Sequence, residues 1–243
     1  MRVKDTLIVQ AGEYGQVLGR LDLQLNDRSG RIVNYNHALI PVDESIREDE
    51  RVLKEIEAQK TLAQKLLQEE IGEIRVPVTL SVTDQCSAGN LLADALLDYF
   101  PDADASMILA VHWESGLEAG VITKGGVYAA NRSTGNPARV KINGEQIKTF
   151  LREGTKPEHM LQTRKPWRGH KACMPHVAGM RVVVNSNDLN DMEIYIRDKK
   201  IDPTDCFTIV TSDLEISEQL NYLPIPDDEV EFEVPTILPQ VVE

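Results

Sequence analysis

The sequence predicts an α+β protein in which a β-hairpin and a long helix precede a larger domain. In the first part, Leu21, Leu23 and Leu25 alternate with polar residues, the period of a strand with one buried face. Next, apolar residues recur at spacings of three, four and seven between about Glu48 and Ile71, which indicates an amphipathic helix. Beyond it, short apolar strand-like runs mix with amphipathic helical segments. We therefore divide the chain into residues 1–43, 44–72 and 73–243.

The first two parts carry the expected turn and terminus signals. Residues 26–30, Asn-Asp-Arg-Ser-Gly, form a turn cluster between strands within residues 7–41. The helix begins with the acidic run Glu48-Asp49-Glu50, which suits the positive end of its dipole, and Gly72 is a suitable stop. Its charged residues are predicted to form a solvated face.

The third part is predicted from local patterns, element by element. The predicted elements are a β-rich run at 75–82, a helix at 87–100 stopped by Pro101, strands at 106–111 and 138–142, a helix opening at Gly144, a hairpin of 180–184 with 192–196, and a strand at 207–211.

Composition excludes several classes of function. The chain has 243 residues and a net charge of −13, which argues against a nucleic-acid groove as its main surface. No apolar run approaches the ~18 residues that a membrane span needs. The start, Met1 to Leu7, lacks the apolar core of a signal peptide, so we expect a cytoplasmic protein. The three cysteines are odd in number and widely spaced, which does not suggest a disulfide framework.

Segments in a consistent order resemble one enzyme family. They are GEYGQVLGRLDL (12–23), IPVD (40–43), SAGNLLADAL (87–96), AGVIT (119–123) with GVY (126–128), VKINGEQIK (140–148) and HVAGMR (176–181). Together they resemble the 5′-nucleotidase / UDP-sugar hydrolase family over nearly the whole chain. The implied fold is a mixed-sheet 5′-nucleotidase C-terminal domain, preceded by a β-hairpin remnant of the metallophosphatase domain and a long linker helix.

Several positions depart from the family pattern. Where the family carries Asn-x-Gly-Gly-x-Arg, residues 109–114 read Leu-Ala-Val-His-Trp-Glu, which removes a bidentate donor for phosphate or ribose. The Pro-Phe pair that presents a base-stacking aromatic aligns with Arg132-Ser133, and the second stacking aromatic aligns near Leu214. The usual nucleoside pocket is therefore not expected, and the pattern is closer to a divergent bacterial branch.

The resemblance implies a function divided between two domains. The family's Gly-His-x-His metal motif would stand before Thr6, where only five residues precede, and the five histidines form no metal-ligand constellation. We therefore expect no metal site and no catalytic residue in this chain. Divalent metals (Mn, Zn or similar) are implied for the complete enzyme, which would hydrolyse a nucleotide or related phosphate ester. This chain would bind the substrate and be inactive alone.

Two regions are candidates for substrate binding. His112, Trp113 and Glu114 occupy the family's substrate loop, and Arg132 replaces part of the stacking pair. A repacked, inactive pocket is the alternative for these positions. The second region is a basic segment, residues 156–171, in which Arg164, Trp167 and Arg168 could meet an anionic ligand. Its alternative is a solvated loop whose cations pair with the acidic body.

A second hypothesis comes from a different class of function. The loss of the arginine and the aromatics is also consistent with a non-catalytic ligand-binding or assembly module derived from the family. The expected partners are a nucleotide or related anion and the metallophosphatase domain, with no nucleic acid and no membrane. Self-association is a further expectation, because the apolar strand faces of residues 6–42 would seek a cover.

Overall fold

The computed structural model describes residues 1–12, 14–163, 171–185, 188–217, 220, 222–223 and 225–243. The chain divides into two compact units, Met1–Leu62 and Ala63–Glu243.

The first unit contains a long antiparallel hairpin. Its strands are β1 (Arg2–Val3), β2 (Thr6–Leu7), β3 (Val17–Leu25) and β4 (Ile32–Pro41), with β1 paired to β2 and β3 to β4. At the turn, the Asn26 side chain accepts the Ser29 amide at 2.9 Å, so the predicted turn cluster is present. The expected buried face is absent, since Leu23 and Leu25 are 46% and 51% exposed. Alternation of apolar and polar residues buries one face of a hairpin only where another element packs against that face.

The long helix is shorter than its pattern predicts. Helix α1 spans Glu50–Leu67, crosses the boundary between the units and contains no buried residue. It stops before Gly72 because Glu70–Ile74 forms strand β5, which pairs antiparallel with Gly120–Thr123, strand β7. Backbone hydrogen bonds between these strands replace the last predicted helical turn.

The rest of the second unit has the following elements in chain order: α2 (Ser87–Tyr99), β6 (Ala105–Leu109), α3 (Lys124–Ala130), β8 (Pro137–Asn143), α4 (Gly144–Gly154), α5 (Pro157–Met160), β9 (Pro175–Ala178), β10 (Met180–Asn185), β11 (Asp188–Ile196), β12 (Lys199–Lys200), β13 (Cys206–Ser212), β14 (Val230–Phe232) and α6 (Leu238–Val242).

A five-stranded mixed sheet organises this unit. Its strand order is β14-β8-β13-β6-β9. Strands β13 and β6 are parallel, and the other neighbours are antiparallel. The predicted α+β class with a mixed sheet is therefore confirmed.

The two faces of the sheet carry separate apolar clusters. Along β6, Met107 and Leu109 join the cluster that includes α4 and β11, whereas Ile108 joins the cluster of α2 and α6. Ser106 also faces α2 and donates to the Ala93 carbonyl at 2.7 Å. This alternation follows from the strand period, because successive side chains point to opposite faces.

Outside the main sheet, one predicted hairpin is present and one predicted strand is not. Strands β10, β11 and β12 form a three-stranded antiparallel sheet, and residues 186–187 of the predicted hairpin turn lie outside the described residues. The predicted β-rich run at 75–82 is reduced to a single bridge between Val78 and Leu117. Pro77 precedes the bridge and has no N–H to donate to a longer ladder.

Helix α4 has a complete capping box. The Asn143 side chain accepts the Gln146 amide, and the Gln146 side chain accepts the Asn143 amide, both at 2.9 Å. Asn143→Ala should lower the free energy of unfolding by about 1 kcal/mol, because it leaves a helix N–H without its partner. Urea unfolding followed by circular dichroism measures the change. Asn143→Asp is the control and should retain most of the stability; equal losses in both variants would contradict the role of the cap.

Candidate functional site

Three segments meet at the carboxyl edge of the parallel strands. Because β6 and β13 run in the same direction, the residues that follow them lie at the same edge. Residues Ala110–His112 form a 3₁₀ turn after β6, and Glu215 follows β13. Strand β8 is antiparallel to β13, and its first residue, Pro137, is opposite Ser212. The loop before β8, residues 131–136, therefore reaches the same edge.

A buried hydrogen-bond network joins these segments. His112 Nε2 lies 3.1 Å from Glu215 Oε1, and His112 Nδ1 lies 2.8 Å from Ser133 Oγ. Glu215 Oε1 also accepts the Leu109 amide at 3.0 Å, and Oε2 accepts the Ser212 hydroxyl. Glu215 is 0% exposed and His112 5% exposed. A carboxylate buried this deeply needs such donors to offset its lost hydration.

The partners of this network determine where its protons lie. A carboxylate oxygen only accepts, so His112 donates from Nε2 to Glu215. Its Nδ1 atom is then the acceptor for the Ser133 hydroxyl. The Ser133 oxygen in turn accepts the Gly135 amide at 3.1 Å. In this network, each hydrogen-bond donor among the hydroxyls and ring nitrogens faces an acceptor, and each acceptor faces a donor.

Charged side chains form the outer rim of the site. Arg132 Nη1 lies 3.5 Å from Glu114 Oε2, and the Arg132 side chain is 58% exposed. Asp213 lies beside Gly135 of the neighbouring loop, where a Cβ built on Gly135 would be 3.0 Å from the Asp213 Oδ1 atom. Burial raises the pKa of Asp213, and the negative charge of Glu215 adds to the rise. The edge therefore combines an exposed cation with a carboxyl that resists ionisation.

The raised pKa of Asp213 predicts a pH-dependent effect on stability. A carboxyl whose pKa is higher in the folded than in the unfolded state destabilises the fold once it ionises, and it has no such effect below its unfolded pKa of 3.8. Asp213→Asn should therefore stabilise the protein at pH 7, with the gain disappearing as the pH falls towards 4. Urea unfolding at both pH values measures it.

Asp94→Asn, on the exposed face of α2, is the matched control for Asp213→Asn and should change the free energy by less than about 0.5 kcal/mol. A gain from Asp213→Asn that is equal at pH 4 and pH 7 would contradict the assignment.

Four of the predicted site residues come together at this edge. His112 lies inside the buried network, and Glu114 and Arg132 form the rim pair. Trp113 is only 2% exposed, so its ring packs in the core cluster of α2. Their role in binding stays a prediction.

The other predicted site residues, Arg164, Trp167 and Arg168, lie outside the described residues. In the described part of the basic segment, Lys156 Nζ lies 2.7 Å from Glu153 and lowers the pKa of that carboxyl. That contact agrees with the alternative in which the segment's cations pair with acidic groups.

Sequence reasoning missed Glu215, Ser212 and the hydroxyl of Ser133. One signal was available for Glu215, which stands between Leu214 and Ile216 directly after an apolar strand. An acid in such a position is buried only with partners, which would have pointed to a polar cluster.

The part of the chain that the structure describes contains no group of three or more His, Cys, Asp or Glu side chains that could hold a metal ion. Nor does any helix of that part have the length and apolar character needed to cross a membrane.

Comparisons with known proteins relate this domain to nucleotide-hydrolysing enzymes. The chain is 25% identical to an apyrase of Anopheles gambiae over 74% of its length, which is 30% of the apyrase. It is 28% identical to the trifunctional nucleotide phosphoesterase protein YfkN of Bacillus subtilis over 61% of its length, which is 11% of that protein. The 5′-nucleotidase precursor structure from Thermus thermophilus shares the fold, with a TM-score of 0.61, 17% identity, and coverage of 96% of this chain and 47% of that one.

The fold and its relatives define the class as a C-terminal domain of 5′-nucleotidase-like enzymes. Residues 70–223 match the family described as "5'-nucleotidase, C-terminal domain", and the chain belongs to this family. It spans less than half the length of each relative named above.

Proposed function

We propose that this chain supplies the substrate-binding part of a phosphoesterase whose substrate is a nucleotide or a related phosphate ester. The observation that carries the proposal is the family match over residues 70–223. The chemical role of the chain is to hold and orient the substrate. A metallophosphatase domain would bind Mn²⁺, Zn²⁺ or a similar ion and activate the attacking water.

The rim of the edge site is the proposed contact for the anionic substrate. Arg132 is the exposed cation there, and its guanidinium can form paired hydrogen bonds with a phosphate. Glu114 holds it in the absence of ligand and would be displaced or would bind a ligand hydroxyl. The buried network behind the rim keeps the supporting loops in place.

Calorimetric titration of the whole chain with AMP, ADP, UDP-glucose and inorganic phosphate tests this proposal. We expect binding of at least one nucleotide. Arg132→Gln should weaken that binding about tenfold, because it removes one charge-assisted contact that contributes ~1.4 kcal/mol to the free energy of binding. Arg181→Gln is the control, because Arg181 lies over the Tyr195 ring on another sheet. Incubation of the same phosphate esters with Mn²⁺ should give no hydrolysis, and metal-dependent turnover by this chain would contradict the division of roles.

The exposed hairpin is the proposed docking surface for the metallophosphatase domain. Leu18, Leu23 and Val33 are 60%, 46% and 58% exposed, an apolar character that favours a covered surface. Sedimentation of the chain tests the alternative, self-association through the same strands. A concentration-dependent dimer abolished by Leu23→Glu would favour self-association, and a monomer at all concentrations would favour the separate domain.

One observation favours the second function, a non-catalytic module. His112 and Trp113 occupy the positions where the family has its phosphate-binding motif, and both side chains are buried. In their present positions they contact other side chains of the domain rather than solvent. If no phosphate ester binds in the titrations, the assembly module becomes the better description.

A further inference from the structure

The buried network contains an arrangement that substrate binding does not require. The His112 ring links two groups: its Nδ1 atom lies 2.8 Å from Ser133 Oγ and its Nε2 atom lies 3.1 Å from the Glu215 carboxylate. These distances are within the range of nucleophile–base and base–orienting contacts in covalent catalysis. Ser212 and the Leu109 amide hold the carboxylate in place on its other side.

We propose that Ser133 is a nucleophile, activated by His112, that gives this chain an acyl-transfer activity towards small uncharged carboxylic esters. His112 is the general base, since its Nδ1 atom already accepts the Ser133 proton in a hydrogen bond. Glu215 is a positioning residue that keeps the other ring nitrogen protonated. The serine contacts Nδ1 and the carboxylate contacts Nε2, but the imidazole can pass a proton through either nitrogen.

The side-chain amide of Asn131 is a candidate donor for the oxyanion. Its Oδ1 atom accepts the Ser133 amide at 3.2 Å, which determines the orientation of the group. Its Nδ2 atom is buried and has no hydrogen-bond partner among the described residues. Asn131 is 0% exposed, so leaving this donor unpartnered costs roughly 1–3 kcal/mol. An asparagine amide is one of the groups that stabilise tetrahedral intermediates.

The surroundings of Ser133 restrict the class of ester. Ser133 is half-buried, between the exposed residues Arg132 and Thr134. A Cβ built on Gly135 would lie 3.2 Å from Ser133 Oγ and 3.0 Å from Asp213. There is little space on that side, so a short acyl group fits better than a long one.

The proposed reaction is balanced without a cofactor. The Ser133 oxygen bonds to the acyl carbon while its proton moves to His112 Nδ1. The ester C–O bond breaks, and the departing alkoxide takes the proton from His112. Water then attacks the acyl-serine by the same route, which restores Ser133 and releases the acid. The net change is ester plus water to acid plus alcohol.

Labelling of the whole chain with a fluorophosphonate, followed by peptide mass analysis, tests the nucleophile. We expect one phosphonylated residue, Ser133, with loss of the label in Ser133→Ala and its retention in Ser115→Ala, where the replaced serine is an exposed residue of a neighbouring loop. Hydrolysis of p-nitrophenyl acetate should follow the same pattern. Absence of label from Ser133 would overturn the proposal, as would equal labelling of Ser115.

A second variant keeps the test independent of the fluorophosphonate. In Ser133→Cys the new thiol should react with iodoacetamide at pH 7 on the order of 10²-fold faster than Cys206, an exposed cysteine that serves as an internal reference. Adding Glu215→Gln should abolish that advantage at pH 7 and make the rate rise with pH, because it removes the negative charge that stabilises the imidazolium of a thiolate–imidazolium pair. Reaction no faster than at Cys206, or a pH profile unchanged by Glu215→Gln, would overturn the proposal. Failure of the phosphate-ester titrations would leave this activity unaffected.

Discussion

Leu92→Ala should lower the free energy of unfolding by about 3–5 kcal/mol. Leu92 is 0% exposed in the cluster of α2, where Ile108 and Trp113 are also almost completely buried. Truncation removes buried apolar surface and leaves a cavity that the surrounding strands cannot close, because they are held in the sheet. Urea unfolding followed by circular dichroism measures the loss.

The chain offers a matched control for Leu92→Ala on another helix. Leu66 lies on α1 with 64% of its surface exposed, so Leu66→Ala should change the free energy by less than about 0.5 kcal/mol. Equal effects at the two leucines would mean that the cluster of α2 is not the core of this unit.

Gly89→Ala should destabilise the fold almost as much as Leu92→Ala, although it adds only one carbon. A Cβ built on Gly89 would lie 2.4 Å from the His176 ring. The ring cannot simply turn away, since Nδ1 donates to the Met174 carbonyl and Nε2 accepts the Cys86 amide, both at 3.0 Å. Movement of the ring would break these buried hydrogen bonds, so we expect a loss of about 3 kcal/mol in the free energy of unfolding.

Gly126→Ala is the control for this substitution. Gly126 is also helical, in α3, but the nearest atom to its added Cβ would be Thr123 Oγ1 at 3.6 Å. Alanine should there be neutral or stabilise by up to about 1 kcal/mol through helix propensity. A loss below about 1 kcal/mol at Gly89 in the same unfolding assay would show that the His176 ring is free to move.

Local patterns predicted local elements well. Helix α2 follows from its apolar spacing and from Pro101, and the β8–α4 junction follows from the Asn143-Gly144 turn, where both elements change within one residue. The end of α1 was predicted wrongly, because Glu70–Ile74 is taken into a strand by its distant partner β7. Strand pairing across tens of residues overrides helix periodicity, and a single sequence does not show which strands will pair.

The same limit explains what was found of the candidate site. His112 and Arg132 were predicted because each stands where a binding motif of the family aligns, although neither matches that motif. Glu215 was missed, since its importance arises only from contact with His112, at a sequence separation of 103. The strand order that creates this contact places β13 next to β6, on the opposite side of β13 from β8. Nothing in the sequence of either strand indicates that β6 and β13 will pair.

The parallel pairing of β6 with β13 also has a kinetic consequence. It joins segments about a hundred residues apart, as the Leu109 amide and the Glu215 carboxylate show with a separation of 106. Contacts of such high contact order form only after a large loop has been closed, which makes them slow. During synthesis the edge site cannot form until β13 and Glu215 have left the ribosome. Until then, β6 lacks its neighbour β13 and one edge of the strand is unpaired.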